Sequence, residues 1–288
     1  MKLTKEAKIL IVGLGVIGGG YAAALTRLGY DVTCITLKQA DIDYAIANGI
    51  IKSGTTMTDE RIIGEADLVV FALYPGVFVK WIKENQHMLK SGAVITDVTG
   101  VKGSIVTRIQ GMLRDDVEFI SAHPMAGRER SGVEYSNPEV FRGANFIITP
   151  TDKNTKEAID LARDLGEALG FARISLLSPE EHDRMIAFLS QLTHCIAVTL
   201  MNSNRASGLE KYTGDSFRDL TRIAKINDEM WSELFILNKD ALLSEMDAFA
   251  EEFSKFRDML ANEDRAGMRE KMKESTARRS LFDKPKGT

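Results

Sequence analysis

The stretch Lys8-Ile-Leu-Ile-Val-Gly-Leu-Gly-Val-Ile-Gly18 decides the fold, because an apolar run passes directly into a regular pattern of glycines. Gly13, Gly15 and Gly18 form G-x-G-x-x-G, in which the glycines permit a tight turn, close approach to the backbone and packing of a helix on the strand. The helix that follows offers free N–H groups and the positive end of its dipole to an anion. The pattern therefore predicts a strand, a phosphate-binding turn and a helix.

The same region has an alternative interpretation. Ile9–Thr26 contains no charged residue, and by length it resembles a secretory signal or a membrane span. The clustered glycines favour a strand, a turn and a helix start instead, so we expect a dinucleotide-binding turn rather than a glycine-rich turn without a ligand. The expected contacts with the cofactor are Gly13, Leu14, Gly15, Val16, Ile17 and Gly18 in the turn and Leu73 at the end of a later apolar run.

The composition is that of an ordinary globular protein. Its 288 residues correspond to about two domains of roughly 150 residues. A net charge of −4 argues against general binding of nucleic acid, and 44% hydrophobic residues argue against bulk disorder. Two cysteines, Cys34 and Cys195, provide no disulfide framework. We therefore expect a reducing, cytoplasmic location, with neither nucleic acid nor a membrane as partner.

Up to about residue 178, short apolar runs alternate with helix-length segments. This alternation predicts an α/β fold, with an N-terminal Rossmann-type, doubly wound and mostly parallel sheet. The predicted strands are Lys8–Val12, Val32–Leu37, Leu68–Leu73, Ala93–Asp97, Phe119–Ser121, Asn145–Thr149 and Ala172–Ser175. The predicted helices include Gly18–Leu28, Asp41–Ala47 and Val77–Leu89.

From Ser178 onward the sequence changes to long helical patterns. Ser178-Pro-Glu-Glu181 combines a helix N-cap, a proline in the first turn and a glutamate three residues after the cap. We therefore divide the chain into residues 1–178 and an all-helical domain, residues 179–288. Apolar stripes in the helical domain bury against a second copy of the chain or against the first domain. We favour a homodimer, because two-fold dimers are the commonest oligomers.

The end of the second predicted strand bears on which dinucleotide binds. An NAD site usually has Asp or Glu there, which binds the ribose 2′-hydroxyl. That position is Thr36, and Lys38 follows, whereas Asp41 and Asp43 fall in the first turns of the next helix. Without a carboxylate nothing repels a 2′-phosphate and Lys38 can attract one, so we favour NADP over NAD. The alternative for Lys38 is an ordinary solvated lysine.

Four histidines limit the acid–base chemistry. His87 lies in a charged helical stretch and His182 in a charged helix start, so both are predicted at the surface. His123 follows the predicted strand Phe119–Ser121, at the carboxyl edge where open parallel sheets bind ligands. An imidazole there can accept a proton while hydride leaves an alcohol; the alternative is a turn histidine bonded to the backbone. The spacing of Cys and His indicates no metal site.

Two further candidate substrate contacts lie in the helical half. His194 shares one helix face with Ser190 and Gln191, which suggests a lined cleft or, alternatively, a hydrogen-bonded core histidine. Arg222 either pairs with Asp219, three residues earlier, or offers its planar guanidinium to a substrate carboxylate.

Several motifs, in family order, carry a resemblance to known enzymes. His123-Pro-Met-Ala-Gly-Arg-Glu-Arg-Ser-Gly-Val-Glu134 resembles the signature of the TyrA family, the prephenate and arogenate dehydrogenases of tyrosine biosynthesis. The supporting motifs span nearly the whole chain. They are Asp97-Val-Thr-Gly-Val-Lys102, Ser178-Pro-Glu-Glu-His-Asp183, Ser190-Gln-Leu-Thr-His194, Phe217-Arg-Asp-Leu-Thr-Arg-Ile-Ala224 and Met230-Trp231.

The resemblance implies a Rossmann domain, a helical dimerisation domain and oxidative decarboxylation of a cyclohexadienol. It implies that His123 deprotonates the hydroxyl and that Arg222 binds a substrate carboxylate. We assign Arg222 to the side-chain carboxylate, because an ion pair to the ring carboxylate would stabilise a charge that the reaction removes. The resemblance also implies that His194 faces the substrate, that Glu129 gates the site and that Trp231 lines the pocket.

Three positions depart from the family pattern. A family serine that bonds the catalytic histidine and the substrate is Gly100 here, so Thr99, a water molecule or nothing takes its place. Arg128 replaces a smaller residue, and Thr36 replaces the commoner aspartate.

The resemblance implies prephenate as substrate, giving 4-hydroxyphenylpyruvate, or alternatively arogenate, giving tyrosine, and the motifs do not decide between the two. A β-hydroxyacid dehydrogenase is the alternative among two-domain dehydrogenases, and that group relies on a catalytic lysine on the first helix of the second domain. It is disfavoured, because no lysine lies between Pro179 and Arg205. A catalytically silent dinucleotide sensor is disfavoured, because His123 and Arg222 are both present.

Overall fold

The computed structural model of the chain describes residues 3–127, 130 and 132–283. Within this part, six parallel strands form the first sheet: β1 Lys8–Val12, β2 Asp31–Ile35, β3 Ser53–Thr55, β4 Leu68–Phe71, β5 Val94–Asp97 and β6 Glu118–Phe119. The helices between them are α1 Val16–Arg27, α2 Gln39–Ala47, α3 Glu60–Glu65, α4 Pro75–Asn85 and α5 Gly103–Met112. The strand order is β3-β2-β1-β4-β5-β6. This confirms the predicted Rossmann-type sheet and adds β3, a three-residue strand that the apolar pattern missed.

The central strand β1 is buried on both faces because its residues alternate between two cores. Ile9 and Ile11 pack in one core with residues of α1 and α2, whereas Leu10 and Val12 pack in a second core with residues of α3, α4 and α5. The strand order reverses between β1 and β4, and open sheets of this kind bind ligands at that point.

A second, three-stranded sheet corrects one sequence-based expectation. It contains β7 Ser121–Pro124, β8 Asn145–Thr149 and β9 Arg173–Leu176, with helix α6 Lys156–Ala168 before β9. The predicted strand Phe119–Ser121 is in fact the end of β6 and the start of β7, separated at Ile120. His123 therefore lies within β7, opposite Ile147 of the antiparallel strand β8, and not at the end of a strand of the parallel sheet.

The rest of the described chain is helical, as predicted. The helices are α7 Pro179–Ile186, α8 Thr193–Ser203, α9 Asp215–Thr221, α10 Asp228–Leu237, α11 Lys239–Ala261 and α12 Arg265–Arg279. A π-helical turn, Ala187–Leu192, joins α7 to α8. Short 3₁₀ turns occupy Gln86–Met88, Val133–Tyr135, Pro138–Phe141, Leu209–Tyr212, Arg222–Ala224 and Ser280–Phe282.

The start of α7 confirms the predicted capping box. The Glu181 N–H donates to Ser178 Oγ at 3.1 Å, and the Ser178 N–H donates to the Glu181 carboxylate at 2.9 Å. The cap satisfies two backbone donors that the first turn of a helix otherwise leaves unpaired.

The chain divides into two compact units, one ending at Lys239 and the other beginning at Asp240. The change from strands to helices comes earlier, between β9 and α7, where we place the boundary between residues 1–178 and 179–288. Ile9–Thr26 forms β1, a turn and most of α1, which removes the continuous-span interpretation. Among the described residues, Pro179–Ser203 is long and apolar enough to span a membrane by length and composition, with mean hydropathy 1.4, a property shared by core helices of soluble proteins.

Candidate active site

The glycine turn after β1 has the geometry that a dinucleotide requires. Gly13 has φ +99°, and a Cβ there would lie 2.4 Å from the Ala72 carbonyl oxygen. A Cβ at Gly18 would lie 2.0 Å from the Gly13 carbonyl oxygen, so this glycine allows α1 to approach the turn. A Cβ at Gly15 would meet no atom within 4 Å. Gly13 and Gly18 thus shape the turn, whereas Gly15 keeps a space open at the N-terminus of α1, where a pyrophosphate fits.

Leu73 lies beside this turn, and its contact with a cofactor stays a prediction. Its Cδ2 atom would be 2.9 Å from a Cβ built on Gly13, and Leu73 follows the central strand β4. The turn and the segment after β4 therefore form two sides of the same edge of the sheet.

The end of β2 carries no carboxylate in the described structure. Thr36 is half-buried, and its N–H donates to the Thr55 carbonyl at 3.2 Å. Lys38 is exposed at the N-cap position of α2, and Asp41 lies in the first turn of that helix. This placement agrees with the expectations for Thr36, Lys38 and Asp41, and the preference for NADP stays a prediction.

The most informative feature of the site is a chain of three side chains that ends at His123. His123 Nδ1 lies 2.9 Å from His182 Nε2, and His182 Nδ1 lies 2.8 Å from the Asp183 carboxylate. His182 is fully buried and His123 is half-buried. The prediction that His182 is a surface residue is therefore wrong, because the face of α7 that carries it is turned into the protein.

The hydrogen bonds assign the tautomers of both rings. The Asp183 carboxylate only accepts, so His182 Nδ1 carries a proton and donates to it. Neutral His182 then accepts at Nε2, which means that His123 donates its Nδ1 proton to His182. The remaining nitrogen of His123, Nε2, is left with a lone pair. His123 is therefore set as a base, in the manner in which a carboxylate orients the histidine of a catalytic triad.

The pKa values of both histidines favour the neutral rings. Burial holds the pKa of His123 well below 6.5, and the charges that His182 and Lys102 carry when protonated lower it further. Burial also lowers the pKa of His182, although Asp183 opposes this effect. A neutral imidazole at ordinary pH is the form that a general base needs.

Asp183 is itself held by the start of a second helix. Its two carboxylate oxygens accept the N–H groups of Lys102 and Gly103, each at 2.8 Å, at the N-terminus of α5. A carboxylate is stabilised there by unpaired N–H groups and by the positive end of the helix dipole. Asn238 Nδ2 also donates to the Asp183 carbonyl oxygen at 2.9 Å. The chain of side chains is thus anchored at its far end.

A buried ion pair supports the strand that bears His123. Lys102 Nζ donates to the Asp97 carboxylate at 2.8 Å and to the Ala122 carbonyl at 2.7 Å, directly before His123. Asp97 also accepts from Ser121 Oγ at 2.6 Å. Lys102 and Asp97 have fully buried side chains, and burial lowers the pKa of Lys102 while Asp97 opposes the shift.

The hydroxyl of Thr99 belongs to this buried cluster. It donates to the Asp97 carboxylate or to the Val101 carbonyl, and Thr99 is only 4% exposed. The expectation that Thr99 replaces the family serine beside His123 is therefore not supported by its side chain. Gly100 is better placed, since a Cβ there would lie 3.9 Å from His123 Cε1 and 3.5 Å from Leu234.

The helical half contributes a wall built on His194 and Trp231. The two rings stack with centroids 3.7 Å apart, and the His194 Nδ1–H donates to the Ser190 carbonyl at 2.8 Å. Gln191 is buried in the π-helical turn and donates to the Leu234 carbonyl at 3.1 Å. The turn therefore directs His194 and Gln191 to α10, which bears Trp231 and Leu234; π-helical turns are frequent at functional sites.

None of the contacts described above involves Arg222, a predicted substrate contact. Arg222 lies exposed at the C-terminal end of α9, with Asp219 also exposed. Glu129, the predicted gating residue, and Arg128, which departs from the family pattern, lie outside the described residues. Among the described residues, no group of three His, Cys, Asp or Glu side chains could hold a metal ion.

Sequence reasoning missed the residues that orient His123. Asp97, Lys102 and Asp183 appeared only as letters of family motifs, and His182 was predicted at the surface. One signal for the α7 pair was present, because its buried residues follow the spacing i, i+3, i+4, i+7 of a helix face. They are Pro179, His182, Asp183 and Ile186.

Comparison with known proteins identifies the family. The model of the prephenate dehydrogenase nucleotide-binding domain matches residues 21–175, and that of the prephenate dehydrogenase dimerization domain matches residues 178–274. Prephenate dehydrogenase of Bacillus subtilis is 30% identical over 89% of this chain and 71% of its own length. Cyclohexadienyl dehydrogenase of Zymomonas mobilis is 31% identical over 95% of each chain.

A solved structure agrees with this result over the full fold. The crystal structure of prephenate dehydrogenase from A. aeolicus, in complex with hydroxyphenyl propionate and NAD+, has 30% sequence identity and a TM-score of 0.90. The match covers 98% of this chain and 100% of that chain. Together with the glycine turn and the base at His123, these matches show that the chain is a dehydrogenase and belongs to the prephenate dehydrogenase family.

Proposed function

We propose that the chain oxidises prephenate with loss of CO2, giving 4-hydroxyphenylpyruvate and a reduced nicotinamide dinucleotide. The observation that carries this proposal is the Asp183–His182–His123 chain, which leaves His123 Nε2 as a base. The relatives named above support the substrate class, and the open space at Gly15 supports the cofactor class. Arogenate is the second candidate, because a further relative, from Methanocaldococcus jannaschii, is named a probable arogenate/prephenate dehydrogenase.

The proton balance explains why the site needs a base that returns its proton. Oxidation of the carbinol removes the hydroxyl proton and a hydride, and the ring carboxylate leaves as CO2 when the ring becomes aromatic. When bound, the nicotinamide dinucleotide accepts the hydride. The product is a phenol, so His123 takes the proton from the substrate oxygen and gives it back to the same oxygen. While it is protonated, the His123 ring keeps its Nδ1–H bond to His182.

Binding of the substrate is assigned to side chains on the helical half. We assign Arg222 to the side-chain carboxylate, where its charge does not oppose loss of the ring carboxylate. His194 and Trp231 form a stacked pair that would face the ring, and Gly100 leaves room beside His123. Glu129 is proposed to gate this pocket, and NADP is proposed as the preferred cofactor on account of Thr36 and Lys38.

A homodimer is proposed as the working assembly. The first unit exposes Phe188, Leu189, Tyr212 and Leu220, each at least 45% accessible. The second unit exposes further large apolar residues, Leu243, Met246, Phe249, Phe253 and Leu260. The matched model is that of a dimerization domain, and these exposed apolar residues are the candidates for its interface. A cytoplasmic location is proposed from the cysteine content alone.

The test is a turnover assay of prephenate and arogenate, each with NAD+ and NADP+, followed by the absorbance of reduced nicotinamide. Activity with either substrate supports the proposal, and the most active combination identifies substrate and cofactor. His123→Asn should lower kcat by roughly 10²–10⁴-fold without weakening cofactor binding. Arg222→Gln should mainly raise KM. Absence of turnover in all four combinations would favour the dinucleotide sensor instead.

A further inference from the structure

Helix α10 is bonded to the first turn of α4, although the two lie far apart in the sequence. The Gly76 N–H donates to Glu233 Oε1 at 2.6 Å, and Asn227 Nδ2 donates to the Tyr74 hydroxyl at 3.0 Å. These bonds span 157 and 153 residues of the chain. A hydrogen bond from an N–H to a carboxylate is stronger than one between neutral groups.

Glu233 supplies the helix cap that α4 lacks within its own sequence. Tyr74 is the N-cap residue of α4 and its side chain accepts no capping hydrogen bond. Pro75 has no N–H, so Gly76 presents the first free donor of the helix. The Glu233 carboxylate takes that donor and lies at the positive end of the α4 dipole.

The two helices joined by this bond serve different parts of the site. The first turn of α4 follows Leu73, which lies beside the glycine turn that fits the dinucleotide. On α10, Trp231 stacks on His194, and Leu234 lies beside Gly100 and accepts a hydrogen bond from Gln191. The Glu233 bond therefore joins the segment beside the glycine turn to the helix that bears Trp231 and Leu234.

We propose that Glu233 is a positioning residue that couples dinucleotide binding to the placement of α10. A dinucleotide that orders the segment after β4 also orders the first turn of α4. Through the Glu233 bond, this turn then restrains α10 and the two side chains on it, Trp231 and Leu234. By thermodynamic linkage, a substrate that binds against Trp231 and Leu234 then raises the affinity for the dinucleotide by the same factor by which the dinucleotide raises the affinity for the substrate. The proposal rests on the proposed function for the identity of the substrate, and on the glycine turn alone for the dinucleotide.

Two variants break the bond in different ways, and a third serves as the control. Glu233→Ala removes the carboxylate. Gly76→Ala places a Cβ 2.8 Å from Glu233 Oε1 and displaces the flexible carboxylate without removing its charge. Glu229→Ala changes an exposed glutamate of the same helix.

The experiment is amide hydrogen exchange of residues 228–237 in the full-length protein, with and without NADP+ or NAD+. In the wild type and in Glu229→Ala, the dinucleotide should slow exchange of this segment by at least about 5-fold, the low end of typical coupling. In Glu233→Ala and Gly76→Ala that difference should disappear, while Gly13–Gly18 is still protected by the dinucleotide. A merely structural Glu233 would speed exchange equally with and without dinucleotide and leave the difference intact.

Persistence of the dinucleotide effect in both variants would overturn the proposal, as would its absence in the wild type when Gly13–Gly18 is protected. Neither outcome depends on turnover. A failure of the proposed substrate is seen separately, in the turnover assay with prephenate and arogenate.

Discussion

His182 Nε2 lies 2.9 Å from His123 Nδ1, across 59 residues of sequence. This contact makes His182 the link between a strand of the second sheet and a carboxylate at the start of α5. Because Asp183 determines the tautomer of His182, it also determines which nitrogen of His123 is free to accept a proton. The base of the site is thus defined by two side chains that do not have to touch the substrate.

Replacing His182 tests this relationship directly. His182→Phe removes the acceptor for His123 Nδ1–H, so we expect kcat to fall by about 10–10²-fold, part of the roughly 10²–10⁴-fold that a general base contributes. The affinity for the dinucleotide should not change. Steady-state kinetics and cofactor titration measure both quantities, with the exposed His87→Gln as the control. A wild-type kcat in His182→Phe would show that His123 does not need its partner.

The lowered pKa values of His123 and His182 predict how stability depends on pH. Both lie below 6.5 in the folded chain, so below about pH 6.5 the unfolded chain binds more protons than the folded one. Above that pH, the two neutral rings make their full contribution to the free energy of unfolding. It is lost as the pH falls toward the folded-state values, by up to about 1.4 kcal/mol per pH unit for each ring.

Urea unfolding between about pH 5 and about pH 8 measures this dependence. The double variant His123→Gln with His182→Gln should flatten the slope on the acid side, whereas His87→Gln should leave it unchanged. An identical slope in the double variant would mean that other groups cause the acid sensitivity.

Gly100 offers a site where activity can be gained. A Cβ at this position would make ordinary contacts, 3.5 Å to Leu234 and 3.9 Å to His123 Cε1, so the Cβ of a serine fits without displacing either side chain. Gly100→Ser should raise kcat/KM by about 2- to 13-fold, because one added hydrogen bond contributes roughly 0.5–1.5 kcal/mol. Gly100→Ala controls for the added carbon atom. Equal kinetics of the Ser and Ala variants would show that the hydroxyl finds no partner.

Sequence patterns predicted the elements whose signals are local. The turn Gly13–Gly18 was recognisable because its three glycines fall within six residues directly after an apolar run, and the Ser178 cap because its partner is three residues away. The strand β3 escaped because three residues at the sheet edge, Ser53–Thr55, carry no apolar run.

The interior of the site was hidden from sequence patterns, since it is built by contacts over long distances. Asp183 meets Lys102 and Gly103 across about 80 residues. Local charge placed His182 at the surface, because Glu180 and Glu181 beside it are exposed. The packing of α7 against α5 and β8 places His182 and Asp183 on the buried face of that helix.

The choice of dinucleotide can be tested at the end of β2. If Lys38 attracts a 2′-phosphate, Lys38→Ala should lower the affinity for NADP+ by several-fold and leave the affinity for NAD+ unchanged. Thr36→Asp should lower the affinity for NADP+ by roughly 10-fold or more, because the carboxylate repels the 2′-phosphate. It should raise the affinity for NAD+, because the same carboxylate can accept a hydrogen bond from the ribose 2′-hydroxyl. Titration of each variant with both dinucleotides measures the ratio, and Lys80→Ala, an exposed lysine on α4, is the control. A wild type that prefers NAD+ and does not respond to Lys38→Ala would make Lys38 an ordinary solvated lysine.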